Sequence, residues 1–221
     1  MAIFDQAASE YDSWYLTDAG KHVLKVENDL LLKVIGNVSN LKVLDIGCGT
    51  GIHSKVVSDL GNDVIGVDLS EKMLDEAMEK SCGNLSFIKM DSSNLLFDDN
   101  SFDLVISLAM IEFVREPLKV LEEALRVLKP GGMMVIGTIQ KGSKFANMYE
   151  SKFFKENTVF KYASFFTKDD LKNMFPRYYI SSDECLFNSY EEILNNPDLK
   201  DLKNGIGSFI IHKWIKGDNN E

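Results

Sequence analysis

The chain has 221 residues, which suits one well-packed α/β domain and is short for two domains. Its apolar fraction of 45% is typical of a globular protein and excludes a disordered one. The formal net charge of −10, from 34 acids and 24 bases, argues against tight binding to a nucleic-acid backbone.

Neither a membrane segment nor a cysteine framework is predicted. The first residues carry an early acid and no apolar signal-peptide core, and no stretch reaches the about 18 apolar residues that a membrane span needs. The cysteines Cys48, Cys82 and Cys185 are odd in number and dispersed, which fits neither disulfides nor a metal site. We therefore expect a cytoplasmic protein without a metal, a membrane span or a nucleic-acid partner.

The first forty residues predict helices. Residues 1–20 form a helical start with an aromatic stripe of Phe4, Tyr11, Trp14 and Tyr15. From His22 to Ile35 apolar residues recur with a helical period. A break of Gly, Asn and Ser residues follows, and then strands and helices alternate.

This alternation predicts a parallel sheet with helices on both faces. The predicted strands are Lys42–Ile46, Asp63–Val67, Leu85–Lys89, Phe102–Ser107 and Met133–Thr138. The predicted helices are Gly51–Leu60, Glu71–Lys80 and Pro117–Leu128, with a further short helix near Ser92. Ser70 is the predicted N-cap of the second helix, and Pro130-Gly131-Gly132 is expected to form the turn after the third.

The pattern is looser after Thr138. Residues 139–165 are rich in Lys, Phe, Tyr and Asn and show no clean period. Thr167 then caps a predicted helix, and Tyr178–Ser182 and Phe209–Ile215 are predicted strands that pair antiparallel to complete the sheet. We divide one domain, residues 1–221, into a helical entry or lid (1–40), a core (41–138), a variable segment (139–175) and C-terminal strands (176–221).

The most informative motif is a glycine turn, VLDIGCGTG at 43–51. An apolar strand ends beside an acid, three glycines follow at alternate positions, and a helix begins at once, which is typical of a nucleotide-binding turn. A dinucleotide fingerprint has its third glycine where Ile52 stands, so the spacing disfavours NAD or FAD. We expect the Asp45 carboxylate to accept from turn amides and to reach a ligand's ammonium group through water.

Acids follow the next two strands as well. Asp68 lies about 20 residues after the glycine turn, where a ribose hydroxyl pair is usually held. Asp91 and Ser92 end the third strand, at the same edge, and an acid there can accept from an adenine amino group. Met73 and Leu69 can contact the purine. Each feature alone also has a structural explanation, since glycine turns serve strand–helix packing and strand-end acids cap helices.

In combination, these motifs resemble one family. The glycine turn, DVIGVDLSEKMLDEA at 63–77, FIKMDSSNLLFDDNSFDLVIS at 87–107, LEEALRVLKPGG at 121–132 and the entry segment at 4–12 resemble class I S-adenosylmethionine (SAM)-dependent methyltransferases. The similarity is to the ubiquinone/menaquinone-biosynthesis (type 11) group. It implies an α/β, Rossmann-like, doubly wound, mostly parallel seven-stranded sheet with an antiparallel C-terminal strand. It also implies SAM as the methyl donor, S-adenosylhomocysteine as the product and a small molecule as the acceptor. The protein is expected to be a monomer or a homodimer.

The resemblance assigns cofactor contacts by position. The glycine turn would face the methionine part of SAM, Asp68 would face the ribose, and Asp91 would face the adenine end. Tyr11 would cover the cofactor as a lid. The implied cofactor-binding residues are Tyr11, Asp45, Gly47, Cys48, Gly49, Asp68, Leu69, Met73, Asp91, Ser92, Ser107 and Leu108. Ser107 and Leu108 would lie under the sulfonium. An amphipathic helix that only packs on the domain is the alternative for Tyr11, Trp14 and Tyr15.

The acceptor has no readable motif. Methyl transfer requires in-line alignment more than a fixed catalytic residue, and structural roles are expected for His22, His53 and His212. Glu112 stands where the family often has histidine, which raises the hypothesis of a carboxylate that binds a cationic acceptor. The predicted acceptor wall consists of Phe145, Tyr149, Phe153, Phe154, Phe160, Tyr162, Phe165 and Phe166. A SAM- or S-adenosylhomocysteine-binding protein without transfer activity, acting as a sensor or partner subunit, is the competing hypothesis.

Overall fold

The structure, a computed structural model, describes residues 3–217; residues 1–2 and 218–221, the ends of the predicted entry and C-terminal segments, lie outside this range. Its strands are β1 (Lys42–Ile46), β2 (Asp63–Asp68), β3 (Leu85–Lys89), β4 (Phe102–Leu108), β5 (Leu128–Ile139), β6 (Tyr179–Cys185) and β7 (Phe209–Ile215). Its helices are α1 (Ala8–Tyr15), α2 (Asp18–Ile35), α3 (Ile52–Ser58), α4 (Glu71–Met78), α5 (Pro117–Val127), α6 (Lys144–Tyr149), α7 (Lys152–Asn157), α8 (Lys168–Met174) and α9 (Tyr190–Asn195). Among the described helices, none has the length and apolarity needed to cross a bilayer.

All seven strands join one sheet in the order β3-β2-β1-β4-β5-β7-β6. The pairs from β3 to β5 are parallel, and β7 runs antiparallel between β5 and β6. The strand order reverses between β1 and β4, the position at which open α/β sheets bind ligands. The predicted mostly parallel seven-stranded sheet with an antiparallel C-terminal strand is confirmed.

Both faces of the sheet are buried, so its central strands are apolar on successive residues. Val43 of β1 belongs to the core cluster that contains residues of α2, α3 and α4. Leu44 and Ile46 belong to the cluster on the other face, which contains residues of α5 and α8. Helices therefore cover both faces, as a doubly wound fold requires.

Two local predictions were wrong. No helix forms near Ser92, because the Asp91 carboxylate accepts from the Ser93 N–H and hydroxyl, both at 2.8 Å, and this local turn competes with a helix. The strand β5 begins at Leu128 and includes Pro130-Gly131-Gly132, which was expected to be a turn. Two backbone hydrogen bonds with Lys216 hold the start of this strand. The Lys216 carbonyl accepts from the Gly131 N–H, and the Lys216 N–H donates to the Gly132 carbonyl.

Two predicted helix starts are confirmed. The Ser70 hydroxyl accepts from the Met73 N–H at the start of α4. Thr167 and Asp170 form a reciprocal capping box at the start of α8. These caps fix where each helix begins, and the first of them lies at the ligand-binding edge of the sheet.

The glycine turn depends on left-handed backbone at Gly47, Gly49 and Gly51, with φ of +69°, +54° and +76°. Gly47 and Cys48 donate their N–H groups to the carbonyl of Val67, which ties the turn to β2. A Cβ on Gly51 would lie 2.4 Å from the ring of Phe87, a buried residue of β3. Gly51 is therefore required both by its backbone and by packing.

We expect Gly51→Ala to lower the free energy of unfolding more than Gly142→Ala, at a turn glycine where an added Cβ would meet nothing within 4 Å. Both positions have left-handed φ, which costs about 1–2 kcal/mol for a residue with a Cβ. Only at Gly51 does the new methyl overlap a buried ring, which adds about 1–3 kcal/mol. Urea unfolding of both variants measures the difference, and equal losses would show that Phe87 moves aside freely.

Candidate functional site

A cavity of about 480 Å³ lies at the carboxyl ends of β1, β2, β3 and β4. This volume is within the about 300–1,000 Å³ of small-molecule sites. We call it the first cavity; eleven of the twelve predicted cofactor residues line it: Tyr11, Asp45, Gly47, Cys48, Gly49, Asp68, Leu69, Met73, Asp91, Ser92 and Leu108.

Ser107 does not line the first cavity. Successive side chains of a strand point to opposite faces, and its neighbour Leu108 faces the cavity. The Ser107 hydroxyl is buried without a hydrogen-bond partner in the described part of the chain. We therefore leave Ser107 out of the proposed site.

Asp68, rather than Asp45, holds the glycine turn. One Asp68 oxygen accepts from the Gly49 N–H at 2.9 Å, and the other accepts from the Ser70 N–H at 2.8 Å. The carboxylate thus joins the turn after β1 to the start of α4. A carboxylate has about four lone-pair sites, so Asp68 retains acceptor capacity for ligand hydroxyls.

Asp45 is buried, and its carboxylate forms a hydrogen bond with a side chain of helix α3. Its carboxylate accepts from the Ser54 hydroxyl of α3 at 2.5 Å, which differs from the predicted contact with turn amides. Burial raises the pKa of Asp45 to about 7; the Ser54 hydrogen bond opposes this and the charge of Asp68 adds to it. A cationic ligand group nearby would lower that pKa and favour the ionised carboxylate.

The turn leaves room for a ligand at one glycine. A Cβ on Gly49 would meet nothing within 4 Å, whereas a Cβ on Gly47 would overlap the side chain of Met110. The backbone at Gly49 is therefore open to the first cavity. This opening, with carboxylates at the ends of three neighbouring strands, fits a nucleoside that carries a cationic amino-acid chain.

Sequence reasoning missed several residues of the first cavity, among them Phe4, Thr50, Met110, Phe113 and Arg115. The last three follow the carboxyl end of β4, which lies beside the glycine turn because β4 pairs in parallel with β1. Their position in the sequence, directly after a strand next to β1, was the signal that could have identified them.

A second cavity, of about 320 Å³, adjoins the first. It lies between the entry helices and the segment after β5; its ring-bearing lining residues are Phe4, Tyr11, Trp14, Tyr15, Phe113, Phe145, Tyr149, Phe154, Phe160, Tyr190 and Phe209. Phe4, Tyr11, Ala109 and Phe113 line both cavities, so the two meet there.

Half of the predicted acceptor wall lines the second cavity, namely Phe145, Tyr149, Phe154 and Phe160. The rings of Tyr149 and Phe160 stack at 3.6 Å between centroids. Phe153 and Tyr162 are exposed, and Phe166 packs against the core cluster on the other face of the sheet. Phe165 is buried without lining the cavity, with its ring centroid 6.5 Å from that of Tyr149 and 6.4 Å from that of Phe160. The segment has no clean period because short helices and turns bring its rings to one place.

The entry helix α1 covers both cavities. Tyr11 lines the two of them, whereas Trp14 and Tyr15 line only the second. Asp12 holds the helix in place, because it accepts from the Thr50 hydroxyl at 2.5 Å and pairs with Lys80 at 2.6 Å. The helix therefore packs on the domain and lines part of both cavities.

Glu112 is not the carboxylate that faces the second cavity. It is fully buried behind the wall, and one of its oxygens accepts from the Thr138 hydroxyl at 2.9 Å. It lines neither the first nor the second cavity, so the geometry does not support it as a group that contacts a cationic acceptor.

Glu27 of α2 faces the second cavity instead. It is 7% exposed and has no side-chain hydrogen bond or ion pair within residues 3–217. Burial, with a smaller contribution from the charge of Glu112, raises its pKa from 4.5 to about 8. The available signal was an acid inside the apolar stripe of α2, between Val23 and Leu31.

Two of the three histidines take structural positions, and the third lines the first cavity. His22 Nδ1 lies 2.7 Å from the carbonyl of Pro197, and His212 is buried on β7 with its ring stacked on Trp214. His53 lines the first cavity, where its Nδ1 lies 2.9 Å from Asn28 Oδ1 and burial lowers its pKa to about 4. None of the three lines the second cavity.

We expect Glu27→Gln to be more stable than the wild type at pH 8, with a smaller advantage at pH 5. Between about pH 4.5 and 8 the Glu27 carboxyl is ionised in the unfolded chain and protonated in the folded protein. The folded state then binds more protons, so raising the pH destabilises it, and the amide variant lacks this loss.

Thermal melts at both pH values measure the effect, at about 2–4 °C per kcal/mol for a chain of this size. Asp29→Asn, an exposed acid on the same helix, is the control and should show no such trend. An equal advantage of Glu27→Gln at both pH values would contradict the raised pKa.

The comparisons with known proteins agree with this geometry. The family described as "Methyltransferase domain" matches residues 44–136. An uncharacterised protein of Methanocaldococcus jannaschii is 31% identical over 207 residues, which is 94% of each chain. A demethylmenaquinone methyltransferase of Clavibacter sepedonicus is 37% identical over 142 residues, 61% of this chain and 56% of that one.

A solved structure gives the same result along nearly the whole chain. It is a SAM-dependent methyltransferase of Thermotoga maritima, described as a possible histamine N-methyltransferase. It is 26% identical, has a TM-score of 0.80, and the match covers 97% of this chain and 98% of that one. Together with the sheet order and the glycine turn, these similarities show that the chain belongs to the class I SAM-dependent methyltransferases and resembles their type 11 group.

Proposed function

We propose that the protein transfers a methyl group from SAM in the first cavity to a small molecule in the second. The observation that carries the proposal is the meeting of the two cavities at Phe4, Tyr11, Ala109 and Phe113. A donor and an acceptor bound on the two sides of this junction would be adjacent, which is the main requirement of methyl transfer.

The proposed cofactor contacts follow the lining of the first cavity. Asp68 accepts from the ribose hydroxyls, Asp91 and Ser92 contact the adenine end, and Leu69 and Met73 pack on the purine. Gly49 presents open backbone to the methionine part, and Leu108 lies near the sulfonium. The cavity lining and the free acceptor sites of Asp68 support these assignments.

SAM supplies an activated methyl group, so the chain's own task is to align the acceptor and to exclude water. The apolar lining of the second cavity and the α1 lid suit that task. At this volume the acceptor is a small molecule, and the names of the relatives point to a quinone ring in one case and an amine in another.

We expect Asp68→Ala to lower SAM affinity by at least about tenfold, because it removes a ribose acceptor and frees the glycine turn. Asp63→Ala, at the exposed opposite end of β2, is the matched control and should keep full affinity. Calorimetry with SAM measures both. Unchanged affinity in Asp68→Ala would contradict the proposed ribose contact.

We expect Tyr11→Ala to weaken SAM binding and Tyr11→Phe to retain most of it, because a ring beside the sulfonium contributes about 0.5–2 kcal/mol. Transfer from labelled SAM into a pool of cell metabolites tests the activity itself. SAM binding without any labelled product would favour the competing sensor or partner-subunit hypothesis.

A further inference from the structure

We infer that the second cavity takes a small primary or secondary amine whose nitrogen lies at the Glu27 carboxylate and whose carbon skeleton packs on the aromatic walls. This inference rests on the proposed function and names the acceptor class for the same site.

The first argument is the state of Glu27. Glu27 lines the second cavity and only 7% of its surface is exposed. No described residue forms a hydrogen bond or an ion pair with its carboxyl group. An unpaired buried carboxyl costs several kcal/mol of stability, whereas Gln or Leu would cost less at such a position. A cationic ligand group supplies the partner that the fold omits.

The second argument is the charge around Glu27. The lining of the second cavity, within the described residues, contains no Lys, Arg or His. The other titratable groups that act on or respond to Glu27 are the Glu112 carboxyl, the phenols of Tyr11, Tyr15 and Tyr149, and the Cys185 thiol. All of these are neutral or negative, so the cavity favours a cation and repels an anion.

The third argument is the aromatic lining. Tyr11, Tyr15 and Tyr149 line the second cavity together with Glu27. The negative charge of Glu27 raises the pKa of these three phenols in addition to the larger effect of burial. Aromatic faces attract an ammonium group and also pack on a carbon skeleton. Tyr11 lines both cavities, so an amine that contacts its ring lies at the junction with the first cavity.

The chemistry balances without another reactant. The bound ammonium lowers the pKa of Glu27 and so favours its ionised form. That carboxylate then accepts one proton from the ammonium, which leaves a neutral amine with a free lone pair. That lone pair forms the N–C bond to the methyl carbon while the S–C bond breaks, and its electron pair stays on sulfur. The methylated ammonium leaves as a cation, and the Glu27 carboxyl releases its proton to solvent.

The test compares three amines with their alcohols: benzylamine with benzyl alcohol, 2-phenylethylamine with 2-phenylethanol, and cyclohexylamine with cyclohexanol. Calorimetry measures binding to the protein saturated with S-adenosylhomocysteine, for the wild type, Glu27→Gln and Asp29→Asn. Tritiated SAM then reports transfer to each amine and to a naphthoquinol.

We expect at least one amine to bind the wild type and Asp29→Asn at least about tenfold more tightly than its alcohol, the ratio expected of a charge-assisted hydrogen bond. Glu27→Gln should lose this preference and keep its affinity for S-adenosylhomocysteine. Tritium should appear on the preferred amine with the wild type and decrease at least about tenfold with Glu27→Gln.

Amines that bind no better than alcohols, or a preference that survives in Glu27→Gln, would overturn the inference. Transfer to the naphthoquinol but to no amine would also overturn it and leave the proposed function intact. Failure of the wild type to bind S-adenosylhomocysteine would instead refute the proposed function.

Discussion

The site depends on the parallel pairing of β1 with β2 on one side and with β4 on the other. This pairing brings three carboxyl ends to one edge of the sheet, and the helices that follow them diverge because the strand order reverses there. The glycine turn can face a ligand only because β2 holds it: Val67 accepts from two of its amides and Asp68 from a third.

The second cavity depends on elements outside this core. Helices α1 and α2 precede β1 in the chain, and α6 and α7 follow β5, yet side chains of all four helices line the second cavity. The contacts of Asp12 with Thr50 and Lys80 secure the entry helix over the cofactor side. A change in the entry helix would therefore affect the donor and the acceptor together.

Several carboxyl groups are buried, at some expense of stability. Asp45, Glu112 and Glu27 all have raised pKa values because burial disfavours their charged forms. Asp45 and Glu112 each accept a hydrogen bond from a hydroxyl group, which offsets part of the cost. Glu27 has no such compensation among the described residues, and this difference is what gives it a place in the proposed acceptor site.

The sequence by itself determined the alternating fold, the glycine turn and the acids at the strand ends, because short-range backbone requirements and strand–helix periodicity specify them. It also predicted eleven of the residues that line the first cavity. The absence of a helix near Ser92, the early start of β5 and the orientation of Ser107 depended on local hydrogen bonds and strand facing that composition does not reveal.

Only the tertiary structure decided which acid faces the second cavity. Glu112 follows β4 and was the candidate that the sequence offered for a carboxylate in the acceptor site. In the structure it is fully buried and accepts a hydrogen bond from the Thr138 hydroxyl. Glu27 lies in a helix 18 residues before Asp45, in a position that no local sequence pattern marks as part of a site. Its significance comes from the aromatic side chains that line the cavity around it. Rings from both sides of the core enclose it, and contacts between residues so distant in the chain are set by packing, which no local pattern encodes.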